Sequence, residues 1–276
     1  MNYLELNCKI FPPRFAEIVM AAMSDYGFES FAETDKGFSA YIPEKDFDTG
    51  TFEALEIFRN KEIRIKYLIK KIPDQNWNAL WESNFEAVQI GNECYIRAPF
   101  HPVLPGIRYE IIIEPKMSFG TGHHETTHQM VQLLLEQDVP GKEVLDMGCG
   151  TAVLAILAKK MGALKVLAID NEEWAYNNSM ENIERNQTPE IEVLLGDAAT
   201  IGDRQFDLIL ANINRNVLLS DIPCYASALR KGGTLMLSGF YEADLSLINQ
   251  KSGQCKLELD RYVTMNSWCA SVYTKE

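Results

Sequence analysis

Glu143-Val144-Leu145-Asp146-Met147-Gly148-Cys149-Gly150-Thr151 decides the fold of this chain. A short apolar run ends in an acid and a glycine pair, and an Ala/Leu-rich helical stretch, residues 152–161, follows at once. Strand, glycine turn and helix in that order make a site for a nucleotide-like ligand. The glycines let the backbone come close, and the free N–H groups of the helix start face the ligand. The next strand-like run, residues 164–169, ends in Asp170, an acid placed to grip two ribose hydroxyls.

Outward from this point the chain alternates. Residues 143–147, 164–170, 191–196, 206–211 and 234–240 read as strands, and 152–161, 172–186, 216–229 and 242–250 as helices. Lys231-Gly232-Gly233 reads as a turn before the last of these strands. Two further runs, 256–263 and 268–274, have no helix between them. The pattern predicts an α/β fold, a doubly wound, seven-stranded Rossmann-like sheet closed by an antiparallel C-terminal hairpin.

Residues 1–72 predict a separate small α+β domain. A strand over 3–10 precedes a helix over 14–26 that Gly27 ends, and 28–33 and 38–42 form a hairpin around Asp35-Lys36-Gly37. A helix over 51–58 and a strand over 62–69 complete a β-α-β-β-α-β, ferredoxin-like order. Residues 73–90 read as a connector in which Trp77, Leu80, Trp81 and Phe85 fall at helical spacing, a stripe expected to be buried. The third segment, 91–276, opens with two extended runs within 91–114, separated by residues 99–106.

Composition narrows the class. Of 276 residues, 46% are hydrophobic and 24% charged, enough for a real core and unlike a disordered chain. No run of 18 apolar residues suggests a membrane span, and the first seven residues lack a secretory pattern. The cysteines at 8, 94, 149, 224, 255 and 269 form no C-x-x-C pair, which fits free thiols in the cytoplasm better than a disulfide frame or a zinc site. A net charge of −13 argues against nucleic-acid binding and favours a basic partner. A monomer is expected.

The glycine string excludes two nucleotide classes. G-x-G-x-x-G for dinucleotides lacks its third glycine, because Val153 stands there, and no Gly-Lys-Ser/Thr of a P-loop occurs. Asp146, two residues ahead of Gly148, suits a ligand with an ammonium group rather than a pyrophosphate. Gly150 completes the close-approach turn. S-adenosylmethionine, an amino acid, a sulfonium and an adenosine in one molecule, fits these demands. Asp170 then suits the ribose diol, and Asp197 at the next strand end could accept from the adenine amino group. Ala211-Asn212-Ile213-Asn214 lies where the methyl group would be transferred, since ligands bind beyond the carboxyl ends of such strands.

The segment Glu114-Pro115-Lys116-Met117-Ser118-Phe119-Gly120-Thr121-Gly122-His123-His124-Glu125-Thr126-Thr127 resembles the F-G-T-G-x-H-x-T-T signature of the methyltransferases that modify the eleventh large-subunit ribosomal protein. Residues 146–150, Asn212-Ile213, Trp77 with Trp81, and the small N-terminal domain fit the same family. The resemblance implies methyl transfer from S-adenosylmethionine to lysine side chains and the α-amine of that basic ribosomal protein, with residues 1–72 recognising the substrate. It implies cofactor contacts at Thr127, Gly148, Asp170 and Asn212. The chain departs from the family where Glu114-Pro115-Lys116 replaces Asp-Pro-Gly, and where Asn214-Arg215 replaces an apolar residue and alanine beside the acceptor. The alternative is a methyltransferase acting on a small molecule or nucleic acid.

His124-Glu125-Thr126-Thr127-His128 also matches H-E-x-x-H, a zinc-hydrolase pattern when it lies within a helix. Here it follows a glycine-rich loop, at a helix start, with no third ligand at the expected spacing. No metal is therefore expected, and His123 and His124 read as shapers of a loop over the cofactor. For chemistry, an amine must lose its proton before it attacks, since a free lysine titrates near ~10.4. No clear general base is legible. Asn212 is expected to orient the amine through its side-chain carbonyl, with Asn214 beside it.

Overall fold

The computed structural model describes residues 3–34, 37–72, 86–114 and 120–276. It divides into two units, Met1–Phe85 and Glu86–Glu276. Residues 86–90, expected in the connector, therefore belong to the second unit, where part of them forms a strand. Trp77, Leu80, Trp81 and Phe85, and the turn residues Asp35 and Lys36, lie outside the described residues.

In the first unit β1 (Tyr3–Phe11) alternates, with Leu4, Leu6, Cys8 and Ile10 buried. Helix α1 (Ala16–Tyr26) packs Val19 and Met23 inward and stops at Gly27, whose φ of 124° suits glycine. Strands β2 (Ser30–Thr34), β3 (Gly37–Pro43) and β4 (Arg64–Ile72) complete an antiparallel sheet ordered β2-β3-β1-β4. The single helix expected over 51–58 is instead two, α2 (Thr49–Glu53) and α3 (Glu56–Arg59), parted by an extended Leu55. On one continuous helix, residues 52 and 58 would face different ways. The break lets Phe52 and Phe58 approach to 5.0 Å, and both rings meet Tyr67 edge-on.

The second unit opens with a three-stranded sheet, β5 (Val88–Ile90), β6 (Cys94–Arg97) and β7 (Tyr109–Ile112). Helix α4 (Glu125–Leu135) leads into the main alternation: β8 (Glu143–Met147), α5 (Val153–Lys160), β9 (Lys165–Asp170), α6 (Glu173–Arg185), β10 (Ile191–Leu195), β11 (Phe206–Asn212), α7 (Arg215–Ala228) and β12 (Leu229–Tyr241). Helix α8 (Leu245–Gln254), β13 (Leu257–Met265) and β14 (Trp268–Lys275) finish it.

The main sheet runs β10-β9-β8-β11-β12-β14-β13, parallel except for the two antiparallel strands β14 and β13. Successive strand residues supply opposite faces. Leu208 and Leu210 join α4, α5 and α6 in one core, while Ile209 and Ala211 join α7 and α8 in another. The turn expected at Lys231-Gly232-Gly233 is a bulge in a longer β12: Phe206 pairs with Leu229 and Leu208 already with Thr234. No described helix is long and apolar enough to cross a membrane.

Candidate functional site

Strand order reverses between β8 and β11, so their carboxyl ends diverge and leave a crevice. A cavity of about 370 Å³ opens there, within the usual range for small-ligand sites. Its wall requires two glycines. A Cβ on Gly148 (φ 68°) would lie 2.1 Å from Ile213 Cγ2, and one on Gly239 (φ 96°) would lie 2.1 Å from the Ile213 carbonyl oxygen. Ile213 is thus held between the end of β8 and a bulge in β12, anchored by its N–H donating to the Ser238 carbonyl at 3.1 Å. Gly148, Gly150 and Ala152 all have φ between 54° and 68°. That alternation bends the loop around the cavity, and Ala152 holds a left-handed conformation that a side chain disfavours.

Asp146, Asp170, Gly148, Gly150, Thr127, Asn212 and Asn214 all line this cavity. Asp146 occupies a core position of β8 and is 1% exposed. Its Oδ2 accepts from the Ala155 N–H at 3.0 Å. Burial pushes its carboxyl up to about 7, the Ala155 N–H opposes the shift, and the Asp170 charge adds to it. Asp170 spends one oxygen on the Gly150 N–H at 2.8 Å and the other on the Glu172 N–H at 3.1 Å, so it also shapes the glycine loop. Neither acid has a cationic partner within 4.0 Å among the described residues. Asp197 lies outside this cavity. It is exposed, caps a 3₁₀ turn by accepting from the Ala199 N–H at 2.9 Å, and lines an adjoining cleft of about 150 Å³ rather than the main cavity. The two spaces share Gly148, Asn171, Ile213 and Asn214.

On the same cavity wall Asn212 donates through Nδ2 to Thr127 Oγ1 at 3.3 Å. Its Oδ1 is shielded from solvent and has no hydrogen-bond partner among the described residues. A buried acceptor left unmade is costly, and the residue that carries it lines the cavity. Asn214 is exposed and caps α7, its Oδ1 accepting from the Val217 N–H at 3.2 Å. That bond accounts for an asparagine at this position without any acceptor role. Arg215 turns away to Asp244, 2.7 Å from its Nη1. Trp268 also lines the cavity, stacked on Tyr241 with centroids 4.1 Å apart and met edge-on by His124 at 4.7 Å.

The histidines hold loops. His123 reaches the Glu86 carbonyl at 2.8 Å through Nε2 and Thr121 Oγ1 at 3.0 Å through Nδ1. His124 precedes α4 as its cap, its Nδ1 accepting from the Thr126 N–H at 3.3 Å. His128 is half-buried in the first turn, where burial lowers its pKa. The H-E-x-x-H string therefore spans a cap and a helix start. Residues 115–119 of the signature lie outside the described residues.

Sequence reading missed a buried asparagine ladder on α6. Asn182 donates to the Thr151 carbonyl at 3.1 Å and accepts from the Glu114 N–H at 2.9 Å. Asn186 accepts from the Ile112 N–H at 2.9 Å and donates to its carbonyl at 2.7 Å, as a neighbouring strand would. The ladder ties the chain entering the signature segment to the glycine loop. Thr151 adds a bond to the Gly120 carbonyl at 2.7 Å. Asn178, Asn182 and Asn186 recur every four residues, a helical stripe that was legible as a polar face turned inward.

Comparison with known proteins decides the family. A family profile described as ribosomal protein L11 methyltransferase (PrmA) matches residues 19–276. The chain belongs to this family. A ribosomal protein L11 methyltransferase of Phocaeicola vulgatus is 44% identical over 275 residues, covering 98% of both chains. One of Porphyromonas gingivalis is 44% identical over 263 residues, covering 94% of this chain and 91% of its own. Among solved structures, a ribosomal protein L11 methylase from Lactobacillus delbrueckii subsp. bulgaricus is 26% identical with a TM-score of 0.64, covering 70% of this chain and 99% of its own. The donor set fits the methyl donor of such enzymes. A cradle kept open by Gly148 and Gly239 meets two acids and an Asn212 acceptor oxygen that have, among the described residues, no cation and no hydrogen-bond partner respectively.

Proposed function

We propose that this chain transfers methyl groups from S-adenosylmethionine to lysine and α-amino groups of ribosomal protein L11. S-adenosylmethionine, when bound, supplies an electrophilic methyl group. The chain's own residues do the rest. Asp146 takes the ammonium charge, which draws its carboxyl into the ionised form. Asp170 takes the ribose diol, and the cleft beside Asp197 takes the adenine ring. Asn212 Oδ1 accepts a hydrogen bond from the incoming amine and fixes its lone pair toward the methyl group. Trp268 walls the approach and limits water. No described side chain is placed as a general base, so the proton leaves to solvent.

The observation that carries this reading is that Asn212, whose Oδ1 has no hydrogen-bond partner among the described residues, lines the same cavity as two acids that have no cation among them. The first unit, whose strand order β2-β3-β1-β4 suits a ferredoxin-like fold, serves as the substrate-recognition part, and the protein acts as a cytoplasmic monomer. The test is mass spectrometry of purified L11 incubated with the full chain and S-adenosylmethionine. We expect mass increments of whole methyl groups on amines. Asn212→Ala should lower turnover about 100-fold while calorimetry still registers cofactor binding. Equal turnover by the variant would remove Asn212 from the chemistry.

A further inference from the structure

Trp174 lines the main cavity, yet neither the sequence pattern nor the family resemblance assigns it a role. It sits in the first turn of α6, four residues after Asp170, and is 49% exposed. The buried face of that helix is made by Ala175, Asn178, Ser179, Asn182 and Ile183, so the indole takes no part in the core. It stacks on no ring among the described residues. An indole is among the largest apolar side chains, and leaving half of it in water is unfavourable unless something covers it. Its position answers what that cover is. It shares the cavity wall with Asp170 and Asn171, which precede it by four and three residues where β9 passes into α6.

We propose that the Trp174 indole forms the outer wall of the adenosine subsite, closing over the ribose face of the cofactor once Asp170 holds the diol. The inference rests on the ribose placement given above. Aromatic groups suit this task because a flat, rigid ring covers a sugar or base with little loss of side-chain freedom.

The test is isothermal calorimetry of the full chain with S-adenosylhomocysteine, repeated with methylthioadenosine, which lacks the amino-acid end. Trp174→Ala should weaken both ligands about tenfold, equivalent to ~1.4 kcal/mol, and Trp174→Phe should stay within threefold of the parent. The substitution lies on the surface, so the melting temperature without ligand should be unchanged. Asp170→Asn serves as the companion variant. Parent-like binding by Trp174→Ala together with weakened binding by Asp170→Asn would overturn the inference and leave the ribose placement intact. Parent-like binding by both would overturn the two together. A loss seen with S-adenosylhomocysteine but not with methylthioadenosine would place Trp174 at the amino-acid end and refute the adenosine assignment.

Discussion

At the amino-end rim of the main sheet, Arg230 donates to Glu143 at 2.9 Å and stands 2.8 Å from Asp207, while Lys165 reaches Glu143 at 2.9 Å. At the carboxyl-end rim, Asp146 and Asp170 meet backbone N–H groups but no cation among the described residues. The same strands β8, β9 and β11 supply acids or their cationic partners to one rim or the other. At the amino end Lys165 and then Arg230 pull the Glu143 carboxyl below its usual range. At the carboxyl end burial raises Asp146 to about 7. An acid whose charge is settled within the protein is structural. An acid held out of water without a cation is poised for a cation from outside.

The comparison breaks most visibly at the glycines that shape the carboxyl-end rim. Gly148→Ala and Gly239→Ala each force a Cβ into Ile213 at a positive φ, and each should cost about 3 kcal/mol and abolish methyl transfer. Calorimetric melting checks this, and a parent-like melting temperature would show that the rim yields easily.

The charge contrast is sharpened by pH. Between the unfolded carboxylate pKa near ~3.9 and the folded value of about 7, the folded chain keeps a proton on Asp146 that the unfolded chain has released. Ligand-free stability should therefore fall as pH rises toward 7, on the order of 1 kcal/mol per pH unit, and the loss should level off above that. Urea midpoints from pH 5 to 8 should show this slope in the parent and not in Asp146→Asn. Cofactor affinity should run the other way, rising with pH until Asp146 is ionised, and a flat affinity profile would detach Asp146 from the ammonium.

The opposite rim predicts a smaller effect. Glu143→Gln loses two partly exposed ion pairs, should cost about 1 kcal/mol or less, and should leave turnover unchanged. A drop in turnover would mean that the rims are coupled. The smallest effect belongs to Ala152→Gly. Relief of the left-handed strain outweighs the added freedom of the unfolded chain by about 0.5 kcal/mol, seen as a slightly higher melting temperature.

Legibility in the sequence varied with how local the cause was. The strand, turn and helix around Asp146 could be read because periodicity and glycine spacing act over a few residues. Asp170 and Asp197 look alike in sequence, each an acid at a strand end. One lines the main cavity and the other caps a turn beside it, a difference that depends on how the loops pack. The last two strands read as a hairpin, but their order required the structure. β14 is buried along most of its length and enters between β12 and β13, while β13 is largely exposed and takes the edge. The continuous run Cys269–Tyr273, beside the alternating pattern of β13, held that hint. The break at Leu55 left no local trace, because its cause is the shared contact of Phe52 and Phe58 with Tyr67.

By itself the chain's order of residues determined most of the strands and helices of the second unit, and that Asp146, Gly148, Gly150, Asp170 and Asn212 stand at strand ends or in the loop that follows one. Those outcomes follow from backbone sterics and the two periodicities of side-chain placement. Tertiary structure alone decided that Ile213 sits between two glycines, that Asp146 loses its water, and that Asn212 keeps a carbonyl oxygen with no partner among the described residues. Close approach and desolvation are properties of groups brought together from distant parts of the chain, and only packing sets their distance.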